Sequence, residues 1–353
     1  MADALELLVN GARYRRWTSM SVSAAMDSCS GAFSLSLTEK SDVRDEPWPI
    51  LPGDACEVRA GDDVLVSGFV EVFRPSFGAS DHTINVQGRD RTGDLVDCSV
   101  LASEYRKVNV LELARLVCRP FGVSVRADVD VGDRIRCVAV QQGESAWELI
   151  ERYCRQRKLL AMADGAGGML ITRTGSARGA SLEQGLNILS ASGALDHSQR
   201  FSRYIVRSQA GWSADSDGET EAHVEGEATG GTVKRYRPLL IVGEADGTLA
   251  SARARAVWEA NTRVGKSATA DIVVQGWRQP SGAIWRPNLI VPVRSPWLRM
   301  DGDMLIREVR YSKDPTGGTV ATLSVISPKA YEPEPYVPKP DKQNIWAEAL
   351  DDE

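Results

Sequence analysis

Apolar and polar positions alternate along most of the first hundred residues. Leu5, Leu7 and Val9 alternate up to Asn10-Gly11, a dipeptide that favours a two-residue hairpin turn because both positions accept positive φ. Phe33, Leu35 and Leu37 repeat the two-residue period. Val58 begins a further strand, and Gly61-Asp62-Asp63 turns the chain into Val64-Leu65-Val66. Strands are predicted over 68–74 and 82–88, joined by Pro75-Ser76-Phe77-Gly78. Short strands punctuated this regularly suit a barrel or a sandwich.

The period changes near residue 100. Asn109 is placed to cap a helix over Val110–Cys118, which Pro120 and Gly122 end. Ser145 and Glu148 have the spacing of a capping box, and Ala146, Leu149, Ile150 and Tyr153 follow at helical spacing. Arg152, Arg155, Arg157 and Lys158 then place positive charge at the helix C-terminus, where the helix dipole is negative. Leu159–Ala163 and Met169–Thr172 read as a hairpin around Asp164–Gly168.

A second β region follows, opening with a strand over Phe201–Ser208. Residues 211–231 are rich in Gly, Ser, Asp and Glu and have little to bury, so a mobile loop is expected. A helix is predicted over 249–264, with Ala252, Ala256, Val257, Ala260 and Val264 on one face. From Arg263 to Val293 the chain runs through a strand, a turn flanked by Trp277 and Trp285, Pro287-Asn288 and a second strand. Strands over Met304–Tyr311 and Thr319–Ile326 close the region.

Segments 68–90 and 305–328 share a layout: a strand ending in a V-x-x pattern, a Gly-containing loop, then an alternating strand. A proline-led strand lies upstream of each, at Leu51–Val58 and Arg286–Val291. Duplication of one β domain explains this, and two unrelated antiparallel domains would give the same pattern. The fold expected is mainly β with α+β insertions. Two related β-barrel-like domains (1–100 and 181–327) flank a small α+β domain (101–180), and a Pro-rich tail (328–353) follows. That tail should be extended; its end, NIWAEALDDE, is either free or docked on a partner.

Composition narrows the chemistry. The 353 residues are 42% apolar, enough for several cores, and the net charge of −6 argues against a general nucleic-acid surface or a polybasic membrane contact. The N-terminus shows no secretory pattern and no run approaches a membrane span, so cytosolic synthesis without membrane insertion is expected. Six cysteines without a C-x-x-C spacing read as buried free thiols, and His82, His197 and His223 form no ligand motif. Neither metal nor cofactor is expected. No G-x-S-x-G elbow is present, and Gly265-Lys266-Ser267 lacks the first glycine of a phosphate loop. Glu148 and Glu151 read as solvated helix charges, and Trp147 as a packing residue. The residues offer no active site.

Arg13, Arg15, Arg16 and Trp17 form a basic-aromatic cluster after the first turn. It reads as an edge strand guarded by charge or a subunit contact, with nucleic-acid contact as a weaker alternative.

Four segments, taken in order, carry a resemblance: NGARYRRWTSMSV (10–22), QGRDRTGDLVDC (87–98), RYRPLLI (235–241), and KSATADIVVQGW with IWRPNLIV. On them the chain, from Leu5 to about Pro328, resembles the Mu-type baseplate hub proteins within the hub-ring group of contractile phage tails. The Pro-rich tail departs from that pattern. The resemblance implies a non-enzymatic virion protein that forms a homotrimeric ring. Two β domains per subunit would make the ring pseudo-sixfold, with the tail tube or a distal tail protein on one face and the central spike on the other. DNA would pass through without specific binding. Arg13, Arg16, Trp17, Trp277, Trp285 and Asn288 become candidate framework or subunit and partner contacts. A cell-wall hydrolase, or a β module binding carbohydrate or nucleic acid, are the competing readings.

Overall fold

The computed structural model describes residues 5–40, 49–78, 81–175, 177–209, 223–243 and 248–335. The chain is mainly β with α+β insertions, and it divides into two compact units. One comprises 1–195 with 268–331; the other comprises 196–267 with 332–353.

The first unit begins with β1 (Leu5–Val9), β2 (Ala12–Tyr14), β3 (Ser19–Ala25), β4 (Ala32–Lys40), β5 (Ala55–Ala60), β6 (Asp63–Phe77) and β7 (Asp81–Asp90). Asn10 and Gly11 have φ of 48° and 82°, the positive pair that the β1–β2 hairpin turn requires. Leu5, Leu7, Val9, Phe33, Leu35 and Leu37 are buried, so alternation did select the inner face. Pro75–Phe77, expected to be a connection, instead continues β6 and pairs with β7. β5 and the residues before it pair with β6 as far as Val70, and among the described residues no strand pairs with that side of β6 from Val72 onward. There a proline costs no ladder bond, which is why the strand tolerates it.

Next come α1 (Gly93–Asp97), β8 (Glu104–Val108), α2 (Val110–Cys118), β9 (Val125–Ala127), β10 (Ile135–Ala139), α3 (Ala146–Gln156), β11 (Leu160–Ala163) and β12 (Met169–Thr172). Both expected caps are present as reciprocal boxes. Asn109 accepts from Glu112 N–H at 2.8 Å and Ser145 accepts from Glu148 N–H at 3.2 Å, while each glutamate accepts from the cap's own N–H. Leu113, Val117, Leu149, Ile150 and Tyr153 from these helices pack in one core with Val125 and Ile171. Cys29, Cys56, Cys118 and Cys154 are buried, whereas Cys98 and Cys137 are exposed, correcting the expectation of six buried thiols. Cys98 lies just past the end of α1, and Cys137 lies on a two-stranded ribbon, β8–β10, with little to cover it.

The first unit resumes with β13 (Ala177–Arg178), β14 (Leu182–Glu183) and β15 (Ile188–Leu195). In the second unit, β16 (Arg203–Gln209) lies between β17 (His223–Thr229) and β18 (Pro238–Val242), and α4 (Leu249–Lys266) packs on the sheet. The expected loop 211–231 is thus partly strand, with 211–222 outside the described residues. Small residues explain β17: a Cβ at Gly226 would lie 2.3 Å from the Ala252 backbone, so glycine is what lets helix and sheet approach. Ala252, Ala256 and Ala260 form the buried stripe of α4, while Val257 is 49% exposed and does not belong to it.

The first unit ends with β19 (Ala268–Gln275), β20 (Leu289–Ser295), β21 (Met300–Asp314) and β22 (Gly318–Ile326). The two β regions do not close into separate sheets. β21 pairs with β3, giving one 14-stranded sheet whose path is β15-β19-β22-β21-β3-β4-β7-β6-β5-β1-β2, open at both ends. The expected extended tail starts instead with a 3₁₀ turn, Pro328–Tyr331, that buries Ala330 and places the Tyr331 hydroxyl on Asp27 at 2.5 Å. Within the second unit, the Glu332 carbonyl accepts from Trp258 Nε1 at 2.6 Å. The NIWAEALDDE end lies outside the described residues.

Candidate functional site

The six candidate residues separate into two groups. Trp277 and Trp285 are 1% and 2% exposed, and both sit in the core of the large sheet. Trp277 Nε1 donates to the carbonyls of Ser312 (3.2 Å) and Val320 (3.1 Å), which pins the turn against the β21–β22 hairpin. Trp285 N–H donates to the Trp277 carbonyl at 3.0 Å, and the Trp285 carbonyl accepts from the Tyr311 hydroxyl. Burial pushes the Tyr311 phenol far above its usual range, so it stays a donor at every physiological pH.

Asn288 works through its backbone as much as its side chain. Its φ is 67°, a left-handed conformation that asparagine tolerates better than most residues. Its Oδ1 accepts from Gly175 N–H at 2.6 Å and its Nδ2 donates to the Arg173 carbonyl at 3.0 Å. Two neighbours missed at the sequence level extend this framework. Arg278 donates to Asp63 (2.7 Å) and to the Ala60 carbonyl (3.0 Å), and Arg286 donates to the Asp164 carbonyl (3.3 Å). The turn between β19 and β20 therefore locks onto the β5–β6 turn and the β11–β12 turn. The partners lie more than a hundred residues away, so no local pattern announces them.

Trp17 is likewise buried, with Nε1 donating to the Tyr14 carbonyl at 3.0 Å. Arg13 and Arg16 are exposed at the β2 end of the sheet, with Arg13 3.7 Å and Arg15 2.6 Å from Glu6. The structure thus keeps Trp17, Trp277, Trp285 and Asn288 inside their own chain and leaves Arg13 and Arg16 on the surface. The first four do not form one cluster with the last two.

The remaining surface features are strand edges. Among the described residues, β15 and the outer part of β6 each have a single ladder neighbour over Ser190–Leu195 and Val72–Phe77. Phe77 is 85% exposed, and Trp297, beside β15, is 81% exposed. Ala191, Ser192, Gly193, Leu195, Trp297, Leu298 and Arg299 line a hollow there.

No described group of His, Cys, Asp and Glu is arranged to hold a metal ion. Cys56, Cys118 and Cys154 are pushed up to about 12 by burial, which makes them unreactive thiols. No described helix is long and apolar enough to cross a membrane.

Comparison with known proteins returns components of phage tails and baseplates. Residues 4–90 match the family model of the Mu phage baseplate assembly protein GpP-like N-terminal domain. Residues 92–173 match the second domain of baseplate hub protein gp44-like chains, and 248–334 match the fourth domain of Mu phage GpP. The structure of the 43 kDa tail protein of prophage MuSo2 from Shewanella oneidensis superposes with a TM-score of 0.83 at 34% identity, over 93% of this chain and 99% of that one.

The chain belongs to the Mu-type baseplate hub family. Its role is accordingly a structural one in a phage tail baseplate. Baseplate hub protein gp44 of Escherichia phage Mu is 29% identical over 302 residues, covering 83% of this chain and 79% of the relative. A tail protein from Neisseria meningitidis shares the fold at TM-score 0.77 and 19% identity, over 96% of this chain and all of that one.

Proposed function

We propose that this hub protein works as a homotrimeric ring in which each chain supplies two ring-building β regions. The observation that supports the reading is an internal repeat of strand plan. β4-β7-β6 and β19-β22-β21 run in the same spatial order, and each long strand, β6 and β21, is 15 residues and bulges once against its hairpin partner, β7 or β22, at Val70/Val72 and at Ile306/Glu308. Three copies of a chain with two equivalent halves present six equivalent units. A sixfold tail tube or distal tail protein then meets one face and a threefold central spike the other.

In this reading the hub is made in the host cytoplasm and acts in the virion. DNA passes through its lumen unread, and an acidic net balance keeps counterion-driven retention low. Arg13 and Arg16 lie on the surface, where they meet a neighbour or partner, while the buried tryptophans and Asn288 hold the frame. Light scattering or native mass spectrometry on the purified chain should show a species near three times 38.4 kDa, and a monomer at all concentrations would overturn the ring. Peptidoglycan zymography should show no clearing; clearing would make the protein an enzyme as well.

A further inference from the structure

Three arginines of the second unit fasten to one turn. Arg200 Nη1 donates to His197 Nε2 at 3.0 Å, Arg237 Nη2 donates to the Ser198 carbonyl, and Arg263 Nη1 donates to the Gln199 side chain at 3.3 Å. The guanidinium carbons of Arg237 and Arg263 lie 5.0 Å and 5.3 Å from the centre of the Phe201 ring, so both charges share one aromatic. Arg200 also donates to the Thr232 hydroxyl, which brings in the turn carrying Lys234 and Arg235, both exposed.

Hydrogen bonds to neutral groups satisfy donors without balancing charge. Arg200 is only 8% exposed, and among the described residues neither it nor Arg237 has a carboxylate partner. Arg237 Nε is buried without an acceptor. A guanidinium does not shed its proton, so burial leaves it charged and costly. Two carboxylates lie nearby, and both are committed. Asp196 accepts from the Ser198 N–H (2.7 Å) and hydroxyl (2.9 Å), and Glu259 is divided between Arg255 (3.1 Å) and Arg263 (3.0 Å). Arg200, Lys234, Arg235, Arg237 and Arg263 therefore outnumber Asp196 and Glu259, and the cluster lacks negative charge.

A source of it enters the same unit. The Glu332 carboxylate accepts from Asn261 Nδ2 at 3.1 Å, its carbonyl accepts from Trp258 Nε1, and Glu334 pairs with Arg255. The chain thus runs along α4 towards the helix N-terminus, the end at which Ala252 approaches Gly226. Gly226 pairs with Val206 and Val206 with Ile241, so β18 finishes at this same end. From there β18 leads back to Arg237, along an edge with no second strand among the described residues. Tyr236, Leu240 and Val242 are exposed on that route, and Ile345 and Trp346 are the apolar residues suited to cover them. Glu348, Asp351, Asp352 and Glu353 follow.

Length suffices for this path. The first six residues of α4 take about 9 Å at about 1.5 Å each, and the five of β18 take about 17 Å at about 3.3 Å each. The fourteen steps from Glu334 to Glu348 span up to about 46 Å, which leaves ample chain for the turn between helix and sheet.

We infer that the acidic segment Glu348–Glu353 lies on the Arg200–Arg237–Arg263 cluster of its own chain and supplies the missing negative charge, so that the tail straps the second unit. Carboxylate–guanidinium bonds are charge-assisted and among the stronger hydrogen bonds, and a cluster already held by one turn loses little freedom in making them. The contact is made within one chain and needs no ring.

Zero-length carbodiimide coupling of the full chain tests the strap, because it joins only a carboxylate and an amine already in contact. Peptide mapping should find Lys234 coupled to one of Glu348, Asp351, Asp352 and Glu353. In a mixture of isotope-labelled and unlabelled chains, each such link should join peptides of the same isotope. The link should fade as salt approaches about 1 M, where the screening length is about 3 Å. Arg235→Gln, an exposed change, should reduce it. Neutralising the acidic segment (Glu348→Gln, Asp351→Asn, Asp352→Asn and Glu353→Gln together) should speed amide hydrogen exchange over 196–202 and 232–237 and leave the large sheet unchanged. Links between labelled and unlabelled chains would place the tail on a second copy and overturn the strap. The absence of any Lys234 link, or unchanged exchange in the neutralised chain, overturns it too, and protection of the turn by added inorganic phosphate would then assign the cluster to an outside anion.

Discussion

The halves built on β6 and on β21 are the same device in two states of completion. β21 is paired along both sides, with β22 on one and with β20 and then β3 on the other. β6 is paired along both sides as far as Val70 and from Val72 has one neighbour among the described residues. The sequence difference follows the structural one. Where β21 carries Tyr311, buried and bonded to the Trp285 carbonyl, β6 carries Pro75 on an open side. Where β21 ends on the polar Lys313, β6 ends on an exposed Phe77. A closed junction inside one chain is held by buried aromatics; an open one keeps its apolar residue outside.

The comparison can be broken most forcefully on the closed side. Trp277→Ala removes a fully buried indole and its two hydrogen bonds, and should cost about 3–5 kcal/mol in chemical denaturation. Phe77→Ala, on the open side, should change the stability of the isolated chain by no more than about 0.5 kcal/mol. Equal losses would mean that the two halves are not in different states.

Asn288→Ala should cost about 2–3 kcal/mol, since it loses two buried hydrogen bonds and places alanine at positive φ. Asn288→Gly should recover the backbone part alone, so a melting temperature between parent and alanine variant is expected.

Asp63→Asn weakens the link from the β5–β6 turn to Arg278. Both partners are about a third exposed, so a loss of about 1 kcal/mol that shrinks as salt is raised is expected.

The smallest effect concerns pH. Asp90 closes β7, and burial raises its carboxyl pKa despite bonds from the Thr92 N–H (3.1 Å) and hydroxyl (2.9 Å). A carboxyl whose folded pKa lies above its unfolded value contributes stability while protonated, and loses it as pH rises from the ordinary value of 3.8 through the raised one. Asp90→Asn should therefore flatten the stability profile just above pH 3.8 and be no less stable than the parent at neutral pH; a variant that is clearly weaker at neutral pH would show that the charge itself is needed.

Much of the local structure was legible. The two capping boxes, the Asn10-Gly11 turn, the inward alternation of Leu5, Leu7 and Val9 and the Asp164–Gly168 turn all rest on interactions within a few residues. The shared layout of 68–90 and 305–328 was visible as strand, Gly-containing loop and alternating strand, and these segments are the hairpins β6–β7 and β21–β22. What local pattern misread were positions whose role depends on a distant partner. β17 looked like loop because its Gly226 and Ala228 serve a helix, and Arg278 carried no sign of Asp63. Trp17, Trp277 and Trp285 read equally as contacts or framework, because aromatic residues suit both.

Membership of the baseplate hub family, and a mainly β chain with an α+β insertion, were readable from residue order because periodicity, turn chemistry and family segments are properties of contiguous sequence. The joining of both β regions into one sheet through β3 and β21, the burial of the tryptophans, and the identity of the two edges left open were decided by tertiary structure. Strand pairing depends on backbone groups that every residue carries, so which strands meet is set by register and distance rather than by the side chains a sequence displays.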